Sequence, residues 1–157
     1  MSGSFQHLAG SVEVRSALEE LVQTGRRAAA EYLAAERVVT DHRIQEALAQ
    51  LRQDHERHVR ELSLILREVG GSPVGWDGAR AAGPVADAVS RGVDGGPELV
   101  DAIRRAEAEL HETYALHVSR RYAEPLRTVL VRLRREEEAH VEWLKTSDWW
   151  GGGRGDA

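Results

Sequence analysis

The chain has 157 residues, about one domain's worth, and its 30% charged and 5% aromatic composition favours long helices over sheet. A net charge of −5 gives no general nucleic-acid footprint, and the lack of cysteine excludes disulfides, thiolate chemistry and cysteine metal sites. No apolar run approaches the roughly 20 residues of a membrane span, and the opening MSGSFQHLAG lacks the basic-then-apolar order of a secretion signal, so a cytoplasmic protein without membrane or nucleic-acid partners is expected.

Four long segments carry apolar residues at helical spacing. Segment A covers residues 11–39 and segment B residues 41–69, where Gly70 and Gly71 supply a stop signal. The next stretch, GGSPVGWDGARAAGPVADAVSRGVDGGP, is rich in Gly and Pro and too long for a turn. It has room for one short helix over residues 85–91. Segment C starts near Pro97, a favourable first-turn residue, and runs to residue 122. Segment D starts near Pro125 and runs to residue 147. The A–B and C–D turns are short, which predicts antiparallel neighbours, and the long middle stretch can travel the height of the assembly. The expected fold is all-α, a four-helix bundle of two antiparallel hairpins joined by a long B–C crossover. Residues 1–150 form that domain, and 151–157 form a flexible Gly-rich tail. Trp149 and Trp150 close segment D; they either cap the end of the bundle or dock a second subunit as a homodimer.

A shift of 82 residues aligns the two halves without a gap. Tyr32 meets Tyr114, Leu48 meets Leu130, Leu51 meets Leu133, Arg52 meets Arg134, His58 meets His140 and Leu62 meets Leu144. Such self-similarity suggests duplication and gives both hairpins a common register. Heptad spacing then places the core stripes. Each stripe is apolar above and below one level, where Glu107 stands on C, Glu137 and His140 on D, and His55 and His58 on B. Segment A offers only Gly25, which predicts open space beside the layer. Buried charge without partners is costly, several kcal/mol per group, so this layer needs a neutralising partner. A divalent metal ion fits imidazole and carboxylate donors, with iron, manganese or zinc as the candidates.

Glu137-x-x-His140 is the i, i+3 carboxylate–imidazole pair used by four-helix di-metal sites. With the paired hairpins, the long crossover and the near-repeat, the chain resembles the ferritin-like di-iron carboxylate bundles. In finer detail it is similar to an uncharacterised bacterial four-helix-bundle family within that group. The likeness rests on the Glu/Tyr-bearing first helix, LREVGGSP after B, a short crossover helix, and AEAELHETY in C, over roughly residues 14–145. The resemblance implies a metal site holding one or two iron ions. Glu107 matches the single helix-C carboxylate, Glu137 and His140 the second ExxH pair, and His58 the histidine of the first. Two positions depart: His55 stands where a glutamate belongs, and Gly25 where helix A should supply one. Glu20, Gln23 and Glu31 lie off the stripe, and Glu36 lies about three turns from the layer.

Two readings of the layer stay open: a metal site at His55, His58, Glu107, Glu137 and His140, or a buried His/Glu hydrogen-bond network. The first implies a ferritin-like metal-binding protein linked to iron, oxygen or oxidative stress; if it is an enzyme, it is a metal-dependent oxidoreductase, and no catalytic residue is identified. The second implies a metal-free bundle acting in stress or protein interaction. A zinc site of hydrolase type is a third. Tyr32 and Tyr114, two turns from the layer on the stripe, are expected to pack in the core, with a redox role or a hydrogen bond to the site as the alternative. His117 and Glu36 are expected at one end of the bundle, partly exposed. His42, His111, Arg134, Arg135, Glu136 and Glu138 are expected to face solvent.

Overall fold

A computed structural model describes residues 4–72 and 83–146. The described residues are all-helical, with no strand. After a short 3-10 turn at Gln6–Leu8 come α1 (Val12–Val38), α2 (His42–Glu68), α3 (Pro84–Ser90), α4 (Gly96–Ser119) and α5 (Leu126–Thr146). Local chemistry sets most of these bounds. Ser11 caps α1 by accepting from the Val14 amide, and Asp41 caps α2 by accepting from the Arg43 and Ile44 amides. Gly70 ends α2 at φ +83°, while the Gly71 amide donates back to the Leu66 carbonyl. Pro84 and Pro97 each sit in the first turn of their helix, where a missing amide proton does no harm. Trp149, Trp150, the Gly-rich tail and residues 73–82 of the crossover lie outside the described residues.

Helix directions follow from pairs of contacts. Tyr32 meets Glu107 and Glu20 meets His117, so α1 and α4 run antiparallel. Asp54 meets His140 and Glu61 meets Arg132, so α2 and α5 do too. Glu107 with His140, and Arg104 with the Leu144 carbonyl, show the same for α4 and α5. With α1 folded back on α2 through a three-residue turn, α2 and α4 point the same way. The chain must therefore climb back before α4 begins, and α3 lies on that route, packed against α1 and α4.

The packing is bundle-like, with its apolar interior in two parts. One cluster joins Leu18, Leu21, Leu66, Leu110, Leu126 and Leu130; the other joins Tyr32, Leu48, Val85, Leu99, Ile103 and Leu144. A polar layer lies between them. Among the described residues no helix is long and apolar enough to cross a membrane.

Two expectations need correction. Gly25 does not open space beside the layer: a Cβ there would come within 2.7 Å of Val59 Cγ2. Gly25 is buried on the α1 stripe, as heptad spacing implies, but its neighbour on α2 is Val59, one turn beyond His55. His117 and Glu36 do not share an end. Buried His117 bonds Glu20 near the start of α1, whereas Glu36 pairs with Arg52 near its finish. The reason is the antiparallel α1–α4 and α2–α5 pairing. It inverts one half of the repeat relative to the other, so equivalent positions share a height only at the middle.

Candidate metal centre

The middle of the repeat is where the polar residues meet. His55 and His58 come from α2, Glu107 from α4, and Glu137 and His140 from α5. The i, i+3 spacing of each pair on α2 and α5 sets both side chains on one inward face. His55, His58, Glu107 and Glu137 are at most 1% exposed. His55, Glu107, Glu137 and His140 each offer one ligand atom, and those four atoms lie within 4.8 Å of one another. His58 adjoins this quartet, its Nδ1 2.8 Å from Glu137 Oε1.

Each carboxylate serves more than one imidazole. Glu107 Oε2 lies 3.1 Å from His55 Nε2, and Oε1 lies 3.1 Å from His140 Nδ1. Glu137 Oε1 lies 3.3 Å from His55 Nδ1, and Oε2 lies 3.5 Å from His140 Nδ1. Neither of these last two contacts has hydrogen-bonding geometry, so His55 Nδ1 and Glu137 Oε2 remain buried without a hydrogen-bond partner. The His55 and His140 rings meet edge to face at 5.3 Å.

The charges reinforce one another. Burial opposes a proton on His55, yet the Glu137 and Glu107 charges outweigh it and raise its pKa to about 10. His140 rises to about 10 as well: burial again opposes, and the bond to Glu107 with the nearby charges of Glu107 and Glu137 prevails. Burial pushes both carboxyls up, but His55 and His140 hold Glu107 below, and Glu137 well below, the ordinary carboxylate range.

Around the quartet stand groups that helical periodicity did not assign to it. Tyr32 donates to Glu107 Oε2 at 2.6 Å and stacks on His55 with ring centroids 5.2 Å apart. Expected as a packing residue two turns away, it is a direct partner of the layer. Burial, then the Glu107 charge, raises its phenol well above the ordinary range. Tyr114 is a buried core residue, as its position on the stripe implied. Glu136 was expected in solvent but lies 2.6 Å from His58 Nε2 and 2.8 Å from Arg57 Nη2. Burial works against its ionisation, yet the Arg57 and His58 bonds bring its pKa down to about 2. Asp54 lies 3.1 Å from His140 Nε2. The sequence carries a signal for both: Asp54-x-x-x-His58 and Glu136-x-x-x-His140 match under the 82-residue shift. His111, also expected in solvent, is half-buried, with Nε2 buried and lacking a hydrogen-bond partner. Glu31, placed off the stripe, is buried for another purpose. Its Oε2 accepts from the Val85 and Ala86 amides at 2.6 and 3.1 Å and so caps α3.

The donor set suits a borderline divalent ion. Two imidazoles and two carboxylates leave no role for thiolate, and two buried carboxylates balance one divalent charge. Asp54 behind His140 and Glu136 behind His58 are the outer carboxylates that fix ring orientation in many metal-bound histidines. No protein-family model matches the sequence, and no curated protein matches it either.

Proposed function

We propose that the chain is a ferritin-like four-helix bundle that binds a divalent transition-metal ion in its core, through His55, Glu107, Glu137 and His140 with His58 alongside. Iron is the first choice, with manganese or zinc as alternatives. The observation carrying this reading is the four-residue cluster itself, whose ligand atoms lie within 4.8 Å of one another, together with two buried atoms of those residues that lack a hydrogen-bond partner, His55 Nδ1 and Glu137 Oε2. Buried polar atoms are nearly always satisfied, and an ion held among the four residues would supply a partner that the protein itself does not. Bound iron or manganese supplies redox chemistry, so oxygen- or peroxide-linked oxidoreductase activity is the one to assay.

The protein's own residues do the rest. Tyr32 and the imidazoles hold Glu107 in place, Asp54 and Glu136 orient His140 and His58, and the apolar clusters on either side exclude water. A second reading has its own support. Glu107 and Glu137 already meet protonated His55 and His140, so the layer is charge-balanced without any metal.

Metal analysis of protein purified without a histidine tag separates the two. The expected result is stoichiometric metal that is lost in His140→Ala and Glu107→Ala. Metal at 1,000 times its dissociation constant stabilises by about 4 kcal/mol, and chelation then lowers Tm by roughly 8–16 °C for a chain of this size. Metal-free protein that takes up no added Fe(II), Mn(II) or Zn(II) would sink the metal reading.

A further inference from the structure

The quartet is sealed on most sides. His55 is 1% exposed and lies under Tyr32, and on the α1–α2 side Val59 fills the space over Gly25. The α1–α4 and α4–α5 pairs approach closely along their backbones, whereas α2 and α5 do not. They are joined instead by long side chains: His58 with Glu137 and Glu136, His140 with Asp54, Arg57 with Glu136, and Arg132 with Glu61. Polar groups along this seam lead from the quartet to water. Side-chain exposure rises from 0% at Glu137, through 1% at His58 and 12% at His140, to 26% at Asp54 and 30% at Glu136.

Both histidines of the seam bridge inside and outside. His58 presents Nδ1 to Glu137 and Nε2 to Glu136; His140 presents Nδ1 to Glu107 and Nε2 to Asp54. Their rings are near parallel, 16° apart with centroids at 6.4 Å. Each outer dyad, His58–Glu136 and His140–Asp54, is thus a carboxylate–imidazole pair able to hold a divalent cation briefly before passing it inward. Across the mouth lies Arg57. Its Nη2 is 2.8 Å from Glu136 Oε2 and 3.5 Å from Asp54 Oδ1, so it occupies with positive charge the carboxylates an arriving cation needs.

We propose that divalent cations reach the core between α2 and α5, by way of the Asp54–His140 and Glu136–His58 pairs, and that the Arg57 guanidinium gates that passage. The proposal rests on the metal-binding reading. Arg57 is no ligand of the quartet and its side chain is 46% exposed, so it can swing away without disturbing the core. Removing it frees Asp54 Oδ1 and one of the two guanidiniums at Glu136, whose Oε1 keeps its 3.3 Å contact with Arg132 Nη1, and local charge of one sign changes association rates by roughly tenfold or more.

Stopped-flow uptake of Co(II) by metal-free full-length protein, read in the visible bands of bound Co(II), tests this. Release is followed by mixing the loaded protein with excess chelator. Arg57→Ala is expected to speed both uptake and release by roughly tenfold, with stoichiometry unchanged. Arg57→Lys, which keeps the charge but not the fork, should fall between. Gly25→Ala on the α1–α2 seam should match the parent rate. No Co(II) uptake by the parent protein overturns the metal reading and the gate with it. Normal uptake, with Arg57→Ala at the parent rate or with Gly25→Ala accelerated equally, overturns the gate alone.

Discussion

Replacing Glu31 with alanine tests the fold independently of any metal. In the native protein Glu31 is 2% exposed, and one oxygen accepts two amide protons at the start of α3. Hydrogen bonds to a charged group contribute about 1.5–3 kcal/mol each. Part of that is offset, because burial raises the Glu31 pKa and its Oε1 has no hydrogen-bond partner. Losing the cap alone costs about 0.5–2 kcal/mol. Both bonds together, less the relieved burial penalty, give a net loss of about 2–4 kcal/mol. At roughly 2–4 °C per kcal/mol for a domain of this length, Tm should fall by about 5–15 °C. The assay is thermal unfolding by circular dichroism with chelator present, alongside hydrogen exchange at the Val85 and Ala86 amides. Glu112→Ala, an exposed glutamate on α4, is the control and should stay within about 0.5 kcal/mol of the parent. A Glu31→Ala protein that melts with the control, or retains full protection at those two amides, refutes the reasoning.

Tyr32→Phe removes the 2.6 Å bond to Glu107 and should destabilise the metal-free protein by about 1.5–3 kcal/mol in denaturant titration. Gly25→Ala gains about 1 kcal/mol of helix propensity but forces a methyl against Val59, and overpacking costs about 1–3 kcal/mol. A net loss is expected, with recovery in the Gly25→Ala/Val59→Ala double variant of a mutant cycle. Gly83→Ala should weaken the crossover, since φ of +154° disfavours a side chain and the added Cβ would strike the Glu31 carboxyl; a lower Tm and faster amide exchange in α3 would show it. The metal-free protein should also respond to pH in a set direction. His55 and His140 have folded pKa values of about 10, above the ordinary 6.5, so their stabilisation is complete below pH 6.5 and lost as pH rises towards 10. Metal affinity should rise over the same window, because the ion displaces those protons. A metal-free Tm that climbs from pH 6.5 to 10 would contradict the assignment.

The four long helices were legible because their apolar residues recur at a helical period, and the layer because five polar residues interrupt those stripes at one level. What periodicity could not supply was reach. A helical wheel fixes where Cβ points, and Glu136 and Asp54 do start towards the outside of the layer. Their side chains then turn back to the outer nitrogens of His58 and His140. For the same reason periodicity ranks Tyr32 as a packing residue above its alternative as a donor to the layer, since its ring spans from its own turn to Glu107. The inverted relation of the two halves was also beyond a linear alignment. A shift of 82 residues matches sequence positions, but only the antiparallel contacts show that heights reverse away from the centre. Glu31 escaped notice because its partners are backbone amides, which leave no trace in residue types.

The separation of the apolar interior into two clusters bears on how the molecule melts. The cluster around Leu18, Leu66 and Leu126 and the cluster around Leu48, Leu99 and Leu144 lie on opposite sides of a slab of imidazoles and carboxylates. The helices α1, α2, α4 and α5 run through both clusters, so stiffening that slab adds to a coupling they already supply between the two half-molecules. Held by a bound ion or an intact proton network, they unfold as one unit. With the slab loosened, the half bearing α3 becomes free to open first. The charged layer that looks like a flaw in a hydrophobic core is then also the clutch between its two ends.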